Sequence, residues 1–173
     1  MRSWITWVLI LGCCTITGIA AGEAGFIARI GQSGEYLDLE HPASGQVIKN
    51  FLPLHRAGEV RYFSAGVGLE ERSAEYPPFS LKLVFTAGGK PYLSSVDVSI
   101  TPAKGGAAIS IPRDQVEGPW LFVDLPSGTY DVSAMQGDRR QALAGIQVER
   151  GNQRTVYLRW AEDVGAIGKA PNE

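Results

Sequence analysis

The chain has 173 residues, of which 45% are hydrophobic, with 16 basic and 18 acidic side chains. This length and composition suit one globular domain with an appendage and exclude wholesale disorder. The near balance of charge leaves no basic stripe, which excludes nucleic acid as the expected partner. The 21 glycines and 10 prolines predict many turns and short strands.

Residues 1–21 are typical of a signal peptide. Arg2 precedes an apolar run at 4–11, and small residues at 18–21 fit a signal peptidase site. We therefore predict export to the periplasm or cell surface after cleavage. An uncleaved membrane anchor is one alternative, although polar residues shorten the apolar run below the roughly 20 residues that a spanning helix needs. Lipidation at Cys13 is another, because ILGC at 10–13 resembles a bacterial lipobox.

Both cysteines of the chain, Cys13 and Cys14, lie inside this N-terminal segment. Removal of the signal peptide would therefore leave a mature chain without cysteine. Such a chain has no disulfide, no thiol nucleophile and no cysteine zinc site.

The segment that follows is predicted in two parts. Residues 22–58 form an N-terminal arm with one or two strands, and HPASGQ at 41–46 is typical of a loop. Residues 59–78 contain a strand and then a short helix at 69–76. Glu70 and Glu71 would lie in the first turn of that helix, where the helix dipole favours negative charge.

From Phe79 onward, regular alternation predicts a β-sandwich of about seven strands over residues 79–160. The strands are expected at 79–85, 96–100, 107–111, 120–125, 129–136, 139–149 and 153–160. In the first of them, Phe79, Leu81, Leu83 and Phe85 would face the core and Ser80 and Lys82 the solvent. Residues 161–173 are predicted to be a flexible tail.

A sharp corner is predicted between two of these strands, at LPSGTY. Pro126 ends one strand, and Gly128 is expected to supply the positive φ of a tight reversal. The Tyr130 ring should then point inward. Trp120 and Tyr130 are predicted to be core residues, with stacking on a glycan as the alternative.

The stretch LPSGTYDVSA resembles the LPPGxYxVxA corner of carboxypeptidase regulatory-like domains. Further matching stretches are VRYFSAGVGLEER (60–72), FSLKLVF (79–85), GPWLFVDLPSGTYDV (118–132) and VYLRW (156–160). Together they resemble small exported bacterial proteins in which Y-x-x-G-G-[IV]-G-x-x-E and a short helix precede that domain. Ala65 stands where the group prefers glycine, and residues 25–58 have no clear counterpart. The resemblance implies a prealbumin-like (transthyretin-like) Greek-key fold and export, without a particular activity.

No catalytic or metal-binding pattern is evident in the sequence. His41 and His55 are the two histidines, and neither lies in HxxE or HExxH spacing. The chain lacks G-x-S-x-G, and its end, KAPNE, differs from the Tyr-Arg-Gly-Ser end of the hydroxyisourate hydrolases that share the transthyretin-like fold. We therefore predict a protein that is not an enzyme and needs no cofactor or metal.

The function predicted from these features is that of a non-catalytic exported accessory or binding module. Its partner would be another envelope protein or a cell-surface carbohydrate, and it would meet a membrane only through its N-terminal segment. The candidate contact residues are Tyr62, Glu70, Glu71, Arg72 and Glu75, together with any uncovered edge strand. Two alternatives remain: a hydrolase without a standard motif that uses Glu70, Glu71 and Tyr62, and a structural envelope subunit that assembles through edge strands.

Lys82 and Asn152 have the order along the chain of the lysine and asparagine that form a covalent bond in cross-linked pilin sandwiches. Strand parity instead predicts that Lys82 is solvated.

Overall fold

Three β-sheets form layers in the computed structural model, which describes residues 26–43, 46–88, 90–91 and 93–161. Its strands are β1 (Ile27–Ile30), β2 (Tyr36–Ala43), β3 (Gln46–Pro53), β4 (His55–Ala57), β5 (Val60–Ala65), β6 (Leu81–Ala87), β7 (Lys90–Pro91), β8 (Asp97–Pro102), β9 (Ile109–Ile111), β10 (Trp120–Asp124), β11 (Gly128–Gln136), β12 (Arg139–Val148) and β13 (Arg154–Trp160). Helix α1 spans Leu69–Ser73, and a single 3-10 turn spans Arg113–Gln115. The predicted signal peptide, and the predicted tail beyond residue 161, lie outside the described residues.

The strands pair into an N-terminal, a central and a distal sheet. The N-terminal sheet has the order β1-β2-β3, and the distal sheet has the order β12-β11-β8-β9. The central sheet has the order β13-β6-β10-β5-β4, with β7 beside β6. Neighbouring strands are antiparallel except β13 and β6, which run parallel.

The main core lies between the central and distal sheets. Leu81, Leu83 and Phe85 of β6 are fully buried there and pack in one cluster with Ile100 and Val132 of the distal sheet. Alternate side chains of each strand enter this core, which is the pattern of two sheets packed face to face. The structure confirms the prediction of an all-β sandwich, and the seven strands predicted after Phe79 are all present.

A second core covers the opposite face of the central sheet. Leu37 and Leu39 of the N-terminal sheet pack there with Phe63, Phe79 and Phe122. The Phe63 ring stacks on Phe122 with the ring centroids 4.6 Å apart, and it meets Phe79 edge-on at 4.9 Å. The region predicted as an arm with one or two strands is therefore a three-stranded sheet that closes a second apolar layer, and β4 follows it in the central sheet.

This second layer corrects the prediction for the start of β6. Phe79 joins the second core and not the main one, Ser80 is fully buried, and Lys82 is half-buried instead of solvated. The Ser80 hydroxyl accepts a hydrogen bond from the Leu125 N–H (2.8 Å) and donates to the Leu125 carbonyl (2.9 Å). Period-two alternation cannot tell solvent from a second packed layer, and it does not extend to Phe79 because β6 begins at Leu81.

At the corner before β11 the tyrosine points inward as predicted, but the glycine does not have the predicted backbone conformation. Tyr130 is 6% exposed, and its hydroxyl donates to the Pro126 carbonyl at 2.9 Å. Gly128 is not among the positive-φ glycines, which corrects the prediction. A Cβ at Gly128 would lie 3.3 Å from the Tyr130 ring, so the site is short of space beside that ring.

Two further boundaries differ from the predictions. Helix α1 stops at Ser73 because Ala74 is extended and the backbone of Glu75 pairs with that of Phe26 and Ala28. The loop predicted at 41–46 is too long, since β2 continues to Ala43 and β3 begins at Gln46.

Candidate functional site

Glu71 stabilises the loop between β5 and α1 through hydrogen bonds to its backbone. Its Oε2 accepts hydrogen bonds from the backbone N–H of Gly66 (2.6 Å) and of Val67 (3.0 Å). The Arg72 Nε donates to the Gly66 carbonyl at 2.7 Å, and the Tyr76 hydroxyl donates to the Glu71 carbonyl at 2.8 Å. Gly66 has a φ of +100°, where a side chain would be strained. The carboxylate of Glu71 is thus occupied by the backbone that it holds.

The side chains of Glu70 and Glu75 have no comparable role in holding this loop. Glu70 lies in the first turn of α1, as predicted, and is partly exposed. Glu75 contributes its backbone N–H and carbonyl to pairing with the β1 region, and its side chain is exposed.

Tyr62 is not a surface residue, which corrects its place among the contact candidates. It is 2% exposed and belongs to the main core. Its hydroxyl donates to Gln115 Oε1, and its ring stacks on His55 with centroids 5.5 Å apart. Burial, and secondarily the negative charge of Asp114, raises the pKa of Tyr62. The structure therefore does not bring Tyr62 together with Glu70 and Glu71.

No other catalytic grouping is evident among the described residues. They contain no cluster of three or more His, Cys, Asp or Glu side chains that could hold a metal ion. A groove of about 620 Å³ lies between β12 and β13, and one of about 500 Å³ lies on the outer face of the distal sheet. Each groove has a single carboxylate in its lining and no histidine. Within the same part of the chain, no helix has the length and apolar character needed to cross a bilayer.

Lys82 and Asn152 are held by different neighbours. Lys82 Nζ lies 3.5 Å from the centroid of the Trp120 ring and 5.0 Å from that of Phe122. Asn152 donates its side-chain N–H to Glu149 Oε2 at 2.9 Å. Burial lowers the pKa of Lys82. This arrangement gives no support to a Lys82–Asn152 bond and places Trp120 on the outer face of the central sheet, partly buried against the second core.

The N-terminal sheet carries most of the exposed apolar surface. Ten large hydrophobic side chains are exposed among the described residues, and six of these belong to this sheet. The six are Ile27, Ile30, Tyr36, Val47, Ile48 and Phe51. A concentration of exposed apolar side chains on one element marks an interaction surface more often than scattered ones do.

Strand β3 is one of the two edges of that sheet and the centre of the exposed surface. Its first six residues, Gln46 to Phe51, are all exposed. Val47 is 64% and Phe51 60% exposed on one face, and Ile48 is 43% exposed on the other. A free edge offers unpaired backbone N–H and carbonyl groups to an incoming strand. Sequence reasoning included uncovered edges but could not locate this one, because it did not predict the sheet.

The charges on the N-terminal sheet neutralise one another. Lys49 Nζ lies 2.7 Å from Glu40 Oε1 across the β2–β3 pair. The hydrogen bond and charge of Lys49 lower the pKa of Glu40, and those of Glu40 raise the pKa of Lys49. Arg29 and Asp38 are cross-strand partners on the same sheet. The surface of β1 to β3 therefore offers mainly apolar contact and backbone hydrogen bonds.

No protein-family model matches this chain, and no curated protein or solved structure shows significant similarity to it.

Proposed function

We propose that this chain is an exported, non-catalytic β-sandwich that acts by contact, as an accessory or binding module of the periplasm or cell surface. In this proposal its sandwich is a carboxypeptidase regulatory-like domain with the prealbumin-like topology. Support for export comes from the sequence of residues 1–21, and support for the domain comes from the LPSGTYDVSA corner.

The observation that carries the contact function is the exposed apolar surface around β3. The partner is a polypeptide segment in extended conformation that pairs with the free edge of β3. Because side chains alternate along a strand, such a segment would contact Val47 and Phe51 on one face and Ile48 on the other. Because Lys49 and Glu40 form an ion pair with each other, an uncharged, apolar segment is the best match for this edge.

A hydrolase is less well supported. It would need Glu70, Glu71 and Tyr62 to share a site, whereas Glu71 is bound to the Gly66 loop and Tyr62 is buried in the main core.

Site-directed photocrosslinking of the mature protein in envelope extract tests the proposal. A crosslinker at position 48 should give one discrete adduct, and the same group at the exposed turn residue Lys104 should give none. The Phe51→Lys substitution should abolish the adduct at position 48 while leaving the unfolding midpoint within experimental error, since exposed substitutions change stability little.

An adduct of twice the mass identifies the partner as a second copy, which is the structural-subunit form of the same function. Equal labelling from positions 48 and 104, or none from either, would contradict the proposal.

A further inference from the structure

A separate surface lies on the outer face of the central sheet, beside the part that the second core covers. Leu83, Leu121 and Leu158 point into the main core from β6, β10 and β13. Their strand neighbours therefore point the other way, since successive side chains alternate. These outward side chains include Lys82, Trp120, Tyr157 and Arg159, which we call the aromatic–basic platform.

The strand register brings the platform residues into neighbouring rows. Val84 of β6 is paired with Trp120 on one side and with Tyr157 on the other. The two rings thus stand two strand spacings apart, about 9.6 Å along the row. Lys82 lies one row away, paired with Phe122 and Thr155.

The second core takes its central-sheet members from β5, β10 and Phe79, and none from β13. Val84, which lies between the two rings in the row, is itself buried at 4% exposed. Tyr157 is 53% exposed and Arg159 is exposed, while Lys82 and Trp120 are partly exposed. A flat row with an exposed ring at one end is the geometry on which a planar or ring-shaped ligand can stack.

The charge of the platform is positive and uncompensated within the described residues. Lys82 and Arg159 form no ion pair there, and each is placed near a ring: Lys82 Nζ at 3.5 Å from the Trp120 centroid and Arg159 Cζ at 5.6 Å from the Tyr157 centroid. The one carboxylate at the other end of the face, Asp124, is bound to Arg61 at 2.7 Å. In a chain of net charge −2, this is a local site for an anion.

We propose that the aromatic–basic platform binds an acidic polysaccharide, with one sugar ring stacked on Tyr157 and the uronate carboxylates paired with Lys82 and Arg159. Trp120 serves as the support that holds the Lys82 ammonium in place. Two isolated cations beside two rings match a polymer with one carboxylate per sugar. Nucleic acid, with a phosphate at every nucleotide, is matched by denser basic surfaces than this one.

Polygalacturonate is the probe, and its fully methyl-esterified form is the uncharged control with the same backbone. Titration calorimetry on the mature protein should show binding to polygalacturonate that weakens with added sodium chloride, and no binding to the ester. Tyr157→Ala and Lys82→Gln should each weaken binding by about fivefold or more. Matched controls are Tyr36→Ala, an exposed ring on the N-terminal sheet, and Lys104→Gln, an exposed lysine on a turn.

Three patterns of binding would overturn the proposal. They are equal binding of the acid and its ester, loss of binding in the Tyr36→Ala or Lys104→Gln variant but not in the platform variants, and binding to a single-stranded DNA oligonucleotide but not to polygalacturonate. No binding to polygalacturonate at low salt would also reject it. The platform variants leave β3 unchanged, so the contact function proposed above is tested independently by the crosslinking experiment.

Discussion

Glu71 illustrates how a charged residue in a short motif can serve the backbone. In the Y-x-x-G-G-[IV]-G-x-x-E pattern, Tyr62 is the first residue and Glu71 the last. Each has a local structural role, since Tyr62 fills the main core and Glu71 binds two N–H groups of the glycine loop. The two residues therefore have separate structural roles, one in the core and one in the loop.

We expect Glu71→Ala to lower the free energy of unfolding by about 2 kcal/mol, because hydrogen bonds to a charged acceptor contribute about 1.5–3 kcal/mol and this one is partly exposed. Glu70→Ala, one residue earlier in the same helix, should cost only a few tenths of a kcal/mol. Urea denaturation of the two variants measures the difference, and equal losses would argue against the assignment.

Ser80 is a second residue whose role depends on a backbone partner. Ser80→Ala would leave the buried Leu125 N–H without its acceptor, so we expect a loss of about 1–3 kcal/mol. Ser110→Ala, at an exposed position of β9, is the control and should be near neutral. Thermal unfolding of both proteins distinguishes them, and similar midpoints would show that Ser80 is not needed.

At the scale of elements, the start of β10 depends on a glycine next to β5. A Cβ at Gly118 would lie 2.3 Å from the Ala65 carbonyl oxygen, a backbone atom that cannot move without disturbing the pairing of Trp120 with Ala65. We expect Gly118→Ala to cost about 3 kcal/mol or more, or to prevent folding.

Gly68→Ala is the matched comparison for Gly118→Ala. Its Cβ would meet only Glu70 Oε2, at 2.8 Å, and a side-chain end can rotate away. We expect a cost of about 1 kcal/mol or less. If the two alanine variants show the same urea midpoint, the close approach of β5 and β10 does not limit which residues position 118 accepts.

The sequence made the sandwich strands predictable, because β-forming apolar residues in each are bounded by turn signals and several strands alternate. The N-terminal sheet was not predictable in the same way. Strand β3 buries only Leu52 of its eight residues, so its pattern carries little signal for a packed face. The aromatic–basic platform was harder still to predict, because Lys82 has the right parity for solvent but is half-buried beside Trp120 and Phe122.

At the scale of the whole molecule, two buried tyrosines and one partly buried tyrosine link stability to alkaline pH. Burial raises the pKa of Tyr62, Tyr76 and Tyr130 above the ordinary value of about 10. The unfolded chain would therefore lose these protons first. Stability is fully present below about pH 10 and falls as the pH rises further.

We expect the urea midpoint to fall as the pH rises above about 10 and to fall less steeply in Tyr76→Phe. The comparison is made between the slopes against pH, because Tyr76→Phe also loses its hydrogen bond to the Glu71 carbonyl at every pH. Tyr157→Phe, which changes an exposed ring, is the control. A slope that Tyr76→Phe leaves unchanged would contradict this account.

The parallel pair of β6 and β13 has a consequence for the order of events during synthesis. The two strands are joined across 72 positions of the chain, from Thr86 to Leu158, and β13 is the last of the described strands to leave the ribosome. Until then β6 lacks one neighbour, and the middle layer stays incomplete. A chain truncated before residue 154 would lack β13, and we expect it to be degraded.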